Sequence, residues 1–270
     1  MMFTTHRLPT EWDAGTYHRV SDPQLAWGQK IVRRLALTGA ETIVDAGCGS
    51  GRLTAKLLEL VPGGHVFAID RSRNMLDAAA AHLVPRFGDR VTFVQADIQN
   101  LSLPYPVDVI FSTATFHWIL DHQRLFQRLY DRLKPGGRLV AQCGGGPNIA
   151  RLSQRAETLL DSPAYRDAAA GWSTPWEFAS PEQTSQRLRN AGFVDSETSF
   201  EHAPTTFSDA EAYREFVQAV VLRAHLDALP EEAMQIAFMD TTTELAAGDE
   251  PPFTLDYWRL NLSATRPPTA

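Results

Sequence analysis

The sequence predicts an α/β protein built on a doubly wound, mostly parallel sheet. Three observations carry that prediction. Short apolar runs alternate with amphipathic stretches five times across residues 41–143. A glycine-rich run, Gly47-Cys48-Gly49-Ser50-Gly51, stands where the first strand meets the first helix. The second and third strands each run into an aspartate, Asp70 and Asp97. Crossovers of one hand then put helices on both faces of the sheet.

Taken in order, Ile43–Ala46 is a short apolar strand followed by glycines, and Arg52–Val61 a helix with Leu53, Leu57 and Leu58 on one face. Pro62-Gly63-Gly64 turns the chain into the strand His65–Asp70. Ser72 caps the next helix, which carries Met75, Leu76, Ala79 and Leu83. Strands follow at Val91–Ala96 and Val107–Ser112, then a helix at Asp121–Leu133 with Leu125, Phe126, Leu129 and Leu133 aligned. Lys134-Pro135-Gly136-Gly137 reads as a turn into the strand Arg138–Cys143. Beyond Gly144-Gly145-Gly146-Pro147 a helix runs to about Leu160, a sheet-flanking helix covers Pro181–Ala191, and Val194–His202 is an edge strand. Ser208 and Glu211 form a capping-box pair. They open a helix with Tyr213, Phe216, Val217, Val220 and Val221, and a second helix covers Glu231–Ala247. Thr254–Thr265 alternates as one last strand, which brings the sheet to seven. Residues 10–38 read as mostly helical, with Trp27, Ile31 and Leu35 on a stripe. The expected organisation is an N-terminal helical arm over 1–38 and one domain over 39–270, with cap segments at about 145–180 and 207–250.

Composition narrows the function. Of the 270 residues 44% are hydrophobic and 21% charged, enough for a sizeable core. The net charge of −7 makes nucleic acid a poor partner. The two cysteines, Cys48 and Cys143, exclude a disulfide scaffold and suit a reducing cytoplasm. No apolar run is long enough for a membrane span, and no His, Cys or acidic cluster has metal-ligand spacing. The expectation is a cytoplasmic protein, monomer or homodimer, that acts on a small molecule.

The glycine run is D-x-G-x-G-x-G, from Asp45 to Gly51. A dinucleotide fingerprint counted from Gly47 would need glycine or alanine where Arg52 stands, and a phosphate-gripping loop would need Gly-Lys-Ser/Thr. Asp70 occupies the strand-end position that places a carboxylate against ribose hydroxyls, and a free 2′-hydroxyl suits it better than a phosphate. Asp97 is placed to accept from an adenine amino group, with Ile98 against the ring face.

With these residues the sequence resembles the class I S-adenosylmethionine-dependent methyltransferases. The carriers are VDAGCGSG at 44–51, FAID at 67–70, VQADI at 94–98 and the LKPGG-RLV stretch at 133–140. Trp12-Asp13 with Tyr17, and FSTATFHWILDH at 111–122, are similar to the trans-aconitate methyltransferase-like branch. Thr113 replaces an asparagine common there, and the His117-Trp118 pair also resembles that of juvenile hormone acid methyltransferases. The resemblance implies a Rossmann-like sheet with an antiparallel last strand, S-adenosyl-L-methionine as cofactor and S-adenosyl-L-homocysteine as product. It implies Asp45, Gly47, Cys48 and Gly49 around the amino-acid half of the cofactor, and Asp70 on the ribose. Arg71 and Met75 would stand beside the adenine, Asp97 and Ile98 on its edge and face, Thr113 near the methionine moiety, and Tyr17 folded over from the arm. Cys48 itself reads as a small residue that fits a tight turn.

Methyl transfer from a sulfonium asks the protein to align the acceptor and exclude water, and to remove a proton only where the acceptor carries one. His117 and Trp118 are the expected catalytic pair: His117 to hydrogen-bond the acceptor, or to act as base for a hydroxyl, and Trp118 to wall the acceptor or donate its indole N–H. A carboxylate or other oxygen is the favoured acceptor. A non-catalytic cofactor-binding protein and an N- or C-methyltransferase of a lipophilic metabolite are the alternatives. Trp172 and Trp176 are candidates to line the cap. Arg151, Arg155, Arg214 and Arg223 are available to an anionic substrate.

Overall fold

The computed structural model describes Glu11, Gly15 and residues 22–269. Tyr17, with Trp12, Asp13 and His18, lies outside the described residues. Five parallel strands form one side of the sheet: β1 (Thr42–Ala46), β2 (His65–Asp70), β3 (Val91–Gln95), β4 (Val107–Thr113) and β5 (Leu133–Gly144). The strands β6 (Val194–His202) and β9 (Trp258–Thr265) complete seven, in the order β3-β2-β1-β4-β5-β9-β6, with β9 antiparallel to both neighbours. The order reverses between β1 and β4, which opens a crevice at the carboxyl ends of those strands.

Inner strands are apolar without alternation because both faces are covered. The last four residues of β1 are buried in succession, whereas β6, at the edge, is half exposed. On one face α1 (Asp22–Val32), α2 (Arg52–Leu60) and α3 (Arg73–Phe87) cover a cluster that includes Ile31, Leu57, Leu58 and Leu83. On the other, α4 (His122–Arg132) and α6 (Pro181–Asn190) bury Leu125, Phe126, Leu129 and Leu188. A third cluster lies off the sheet. It is built by α5 (Ala150–Leu160), α7 (Ala210–Phe216) with the π-turn Val217–Val221 after it, α8 (Arg223–Leu226) and α9 (Glu232–Ala247).

Four expectations are corrected. The helix of the first segment ends at Val32, and Leu35 is buried from a tightened turn in which its N–H bonds the carbonyl of Val32. Lys134–Gly137 is no simple turn: β5 begins at Leu133, and the pairing with β4 slips between Val107 and Val109. Ser208 does not cap α7. Asp209 does, accepting from the Ala212 N–H at 2.9 Å, while the Ser208 hydroxyl donates to the Asp209 carboxylate. A capping box forms instead at Ser180 and Gln183, ahead of α6.

The fourth concerns the last strand, which is two. Thr254–Leu255 (β8) pairs with Thr205–Thr206 (β7) in a separate two-stranded sheet, and β9 starts only at Trp258. The break has a local cause. The Tyr257 N–H bonds the Leu255 carbonyl, which turns Asp256 aside to the start of α5. There its carbonyl accepts from the Ile149 N–H and its carboxylate from the Arg151 N–H. The stretch from β7 to β8 therefore leaves and rejoins the main sheet at one place, where Ala203 N–H bonds Tyr257 O and Phe207 N–H bonds Phe253 O. No helix of the described residues is long and apolar enough to cross a membrane.

Candidate active site

The bend after β1 is tied to β2: the N–H groups of Gly47 and Cys48 both donate to the Ile69 carbonyl, at 2.8 and 2.9 Å. Gly47 sits at φ 83°, and a Cβ there would strike the Thr115 side chain. Gly49 sits at φ 53° with open space where its Cβ would be. Asp70, at the end of β2, is oriented by this bend. One carboxylate oxygen accepts the Gly49 N–H and the other the Ser72 N–H, each at 2.9 Å. Burial raises its pKa, and the backbone N–H groups oppose that shift. The Arg71 N–H is a third donor to the carboxylate, which leaves part of its acceptor capacity open.

A cavity of about 390 Å³ opens at the carboxyl ends of the strands. Asp70, Arg71, Met75, Asp97 and Ile98 line one end, Gly47, Gly49 and Thr113 the middle, and His117 and Trp118 are among the residues of the other. Asp97 also accepts the Gln99 N–H at 2.9 Å. Two of the expected site residues stand apart. Asp45 and Cys48 border a smaller adjoining cavity of about 60 Å³ behind the glycine bend. The buried Asp45 carboxylate accepts the Thr54 hydroxyl at 2.6 Å; its pKa is pushed up to about 7, first by burial and then by the charge of Asp70, while Thr54 opposes the shift. The Cys48 side chain belongs to the cluster beneath α1 and α2, and burial raises its thiol well above the usual range. It meets the bend through its backbone.

At the other end His117 follows β4 in a short 3₁₀ turn, Phe116–Trp118. The Gly144 N–H donates to its Nδ1 at 3.3 Å. Burial, then the positive charges of Arg259 and His122, hold its pKa well below the usual range. The imidazole is therefore neutral, and an Nδ1 that accepts leaves the proton on Nε2. Trp118 stands beside it, edge-on to Trp176 with ring centroids 5.9 Å apart.

The cap arginines do not line this cavity. Arg151 and Arg155 hold Asp249, Arg214 holds Asp240 and Arg223 holds Asp227. Besides Arg71 at the Asp70 end, the cation that lines it is Arg259 of β9, 2% exposed, with its guanidinium 4.6 Å from the Trp27 ring centroid. Asn148 is also present; its Oδ1 accepts the Trp258 N–H, which turns the amide nitrogen the other way. Neither residue was anticipated. Arg259 had one signal, a charge inside an otherwise buried strand. Of the two cap candidates, Trp176 reaches the cavity and Trp172 packs on His225; from the helix after β7, Val220 and Val221 reach the cavity while Tyr213 and Phe216 are core. Two non-glycine residues in the left-handed region, Ala114 (φ 54°) and Ile149 (φ 49°), line the cavity, which concentrates backbone strain there.

The cavity fits an adenosyl sulfonium. Asp70 is a mostly buried carboxylate that lines the cavity with acceptor capacity to spare, as ribose hydroxyls would use. Gln24 Oε1 is buried without a hydrogen-bond partner among the described residues, and Gln24 lines both cavities, where an ammonium could donate to it. The open side of Gly49 leaves the backbone accessible.

Known proteins agree. A family model described as a methyltransferase domain matches residues 43–137. The chain is 31% identical to a trans-aconitate 2-methyltransferase of Azoarcus sp. (strain BH72), over 83% of this chain and 85% of that one. It is 31% identical to a second protein of that name from Rhizobium rhizogenes, over 80% and 82%. Among solved structures, phosphoethanolamine N-methyltransferase 2 of Haemonchus contortus, in complex with S-adenosyl-L-methionine, superposes with a TM-score of 0.60 at 19% identity, over 95% of this chain and 57% of that one. With a glycine bend, a strand-end carboxylate and relatives of this kind, the chain belongs to the class I S-adenosylmethionine-dependent methyltransferases, in the trans-aconitate methyltransferase-like branch, and S-adenosylmethionine is its cofactor.

Proposed function

We propose that the protein methylates a carboxylate oxygen of a small molecule. One observation carries the reading: the Gly144 N–H occupies Nδ1 of a neutral His117, so Nε2 carries a proton and can donate but not take one. A hydroxyl or ammonium acceptor needs a base at this place. A carboxylate is already ionised at neutral pH and needs a donor. The names of the relatives, trans-aconitate 2-methyltransferases, support an acid as acceptor.

In this reading Asp70 takes the ribose hydroxyls, Arg71 and Met75 flank the adenine, and Asp97 and Ile98 take its edge and face. Gly47, Gly49, Thr113 and the Cys48 backbone surround the amino-acid half, with Asp45 and Gln24 as acceptors behind the bend. When bound, S-adenosylmethionine supplies an electrophilic methyl: a carboxylate oxygen bonds to its carbon as the carbon–sulfur bond breaks, the electron pair leaving with sulfur. His117 Nε2–H orients the acceptor and Trp118 walls it. The segments 145–180 and 207–250 form the cap that excludes water and selects the acid.

Turnover of methyl-labelled cofactor with panels of acids, phenols and amines tests this. Acids should be the substrates, and kcat/KM at saturating cofactor should stay flat between about pH 6 and 8, since neither group titrates there. His117→Phe should lower kcat/KM roughly 10–100-fold, the scale of a hydrogen bond to a charged acceptor. A rate that falls tenfold per pH unit below neutrality, with phenols as substrates, would refute the reading.

A further inference from the structure

We infer that the acceptor is an apolar monocarboxylate of the aryl type, and not a di- or tricarboxylic acid. The inference rests on the carboxyl-methylation reading above and specifies its substrate class.

The acceptor end of the cavity has the donors for one carboxylate. His117 offers Nε2–H, Asn148 its amide nitrogen and Arg259 a buried guanidinium. Among the described residues Arg259 is the one arginine or lysine lining that end. Arg71 stands at the opposite end beside Asp70, and Arg151, Arg155, Arg214 and Arg223 are turned to the acids of the cap itself. The charge of Arg259 is already shared with aromatic faces, those of Trp27 and Tyr257, at 4.6 and 5.8 Å.

Beyond Tyr257, which stands beside Arg259, the remaining wall is mostly apolar: Trp118, Trp176 and Phe178 with Ile149, Val220 and Val221. The rings of Trp176 and Phe178 stack at 17° with centroids 5.4 Å apart, and Trp118 meets Trp176 edge-on. Such a surface accepts a planar hydrocarbon body. A second carboxylate laid against it loses its water and gains no cation among the described residues, and the burial of an unpaired charge is strongly unfavourable. Asp70 and Asp97 at the far end repel a polyacid further.

The test uses the full chain, methyl-labelled cofactor, and trans-cinnamate against trans-aconitate as probes. The kcat/KM for trans-cinnamate should exceed that for trans-aconitate at least 100-fold, and Val220→Lys, which adds a second cation to the wall, should narrow the ratio at least tenfold. Equal rates or a preference for trans-aconitate would overturn the inference while leaving carboxyl methylation intact; Arg7 and Arg19, outside the described residues, would then be the arginines to examine. Turnover of a phenol or an amine but of neither acid would overturn the carboxyl reading and the inference together. Calorimetric titration of the S-adenosylhomocysteine-loaded protein reads the same preference without turnover: trans-cinnamate should bind at least tenfold more tightly, and equal or reversed affinities would overturn the inference.

Discussion

The two ends of the cavity are built differently. The nucleoside end is mostly backbone and strand termini: two N–H groups on one Ile69 carbonyl, two more on the Asp70 carboxylate, and glycines at positive φ. The acceptor end is side chains, drawn from a 3₁₀ turn after β4, the segment before α5, the segment before α6, the turn after α7 and the start of β9. A contiguous loop of main-chain groups can change only by breaking the fold. A wall of side chains from five segments can change one residue at a time. The first end states which cofactor binds; the second faces the acceptor.

Substitutions should separate the ends, and the largest effect belongs to the backbone one. Gly47→Val places a branched side chain in left-handed backbone against Thr115, at a cost of about 2–5 kcal/mol from the conformation and the overlap together. Thermal melts should show it, and calorimetry should show no binding of S-adenosylhomocysteine; a protein that still binds normally would break the comparison. Asp70→Ala should weaken S-adenosylhomocysteine by about 1.5–3 kcal/mol. The ratio of rates between two acids should stay unchanged, because Asp70 is at the other end. A changed ratio would mean that the two ends are coupled.

Much of the first end was legible in the sequence. Asp70 and Asp97 follow from strand ends, and Gly47 and Gly49 from a glycine cluster at a strand-to-helix bend, because these features are local. The second end was less so. Arg259 stands in Trp258-Arg259-Leu260, which reads as ordinary alternation until β9 is known to lie between β5 and β6 with both faces covered. Arg155 looked available because its partner, Asp249, is 94 residues away. The capping pair at Ser208 and Glu211 failed for a nearer reason: Asp209, one residue on, is the stronger cap because its carboxylate accepts the Ala212 N–H.

The cap yields smaller effects. His225 is wholly buried, with neither ring nitrogen hydrogen-bonded among the described residues, against Trp172 and Trp176 at 4.6 and 5.3 Å. Burial holds its pKa at about 3 against an ordinary 6.5. Between those values the unfolded chain binds the additional proton, so stability falls as pH drops below about 6.5. His225→Phe should raise stability by about 1 kcal/mol at neutral pH and blunt the loss at pH 5, read as melting temperatures at both, with cofactor affinity unchanged. A variant whose melting temperature falls as steeply with acid as the parent's would clear His225 of that role. Smallest is the cap of α7: Asp209→Ala should cost about 1 kcal/mol. Ser208→Ala should stay within about 0.5 kcal/mol. The reverse order in denaturant titrations would restore the serine.

The paired threonine strands Thr205–Thr206 and Thr254–Leu255 give this architecture a doorway. The chain goes out and comes back through adjacent positions held by their own ladder, so everything between them is a cassette with abutting ends. Lengthening or exchanging such a cassette adds little closure entropy and leaves the sheet's register alone. A lineage can thus edit the passenger while the frame at the ends of the parallel strands is inherited unaltered.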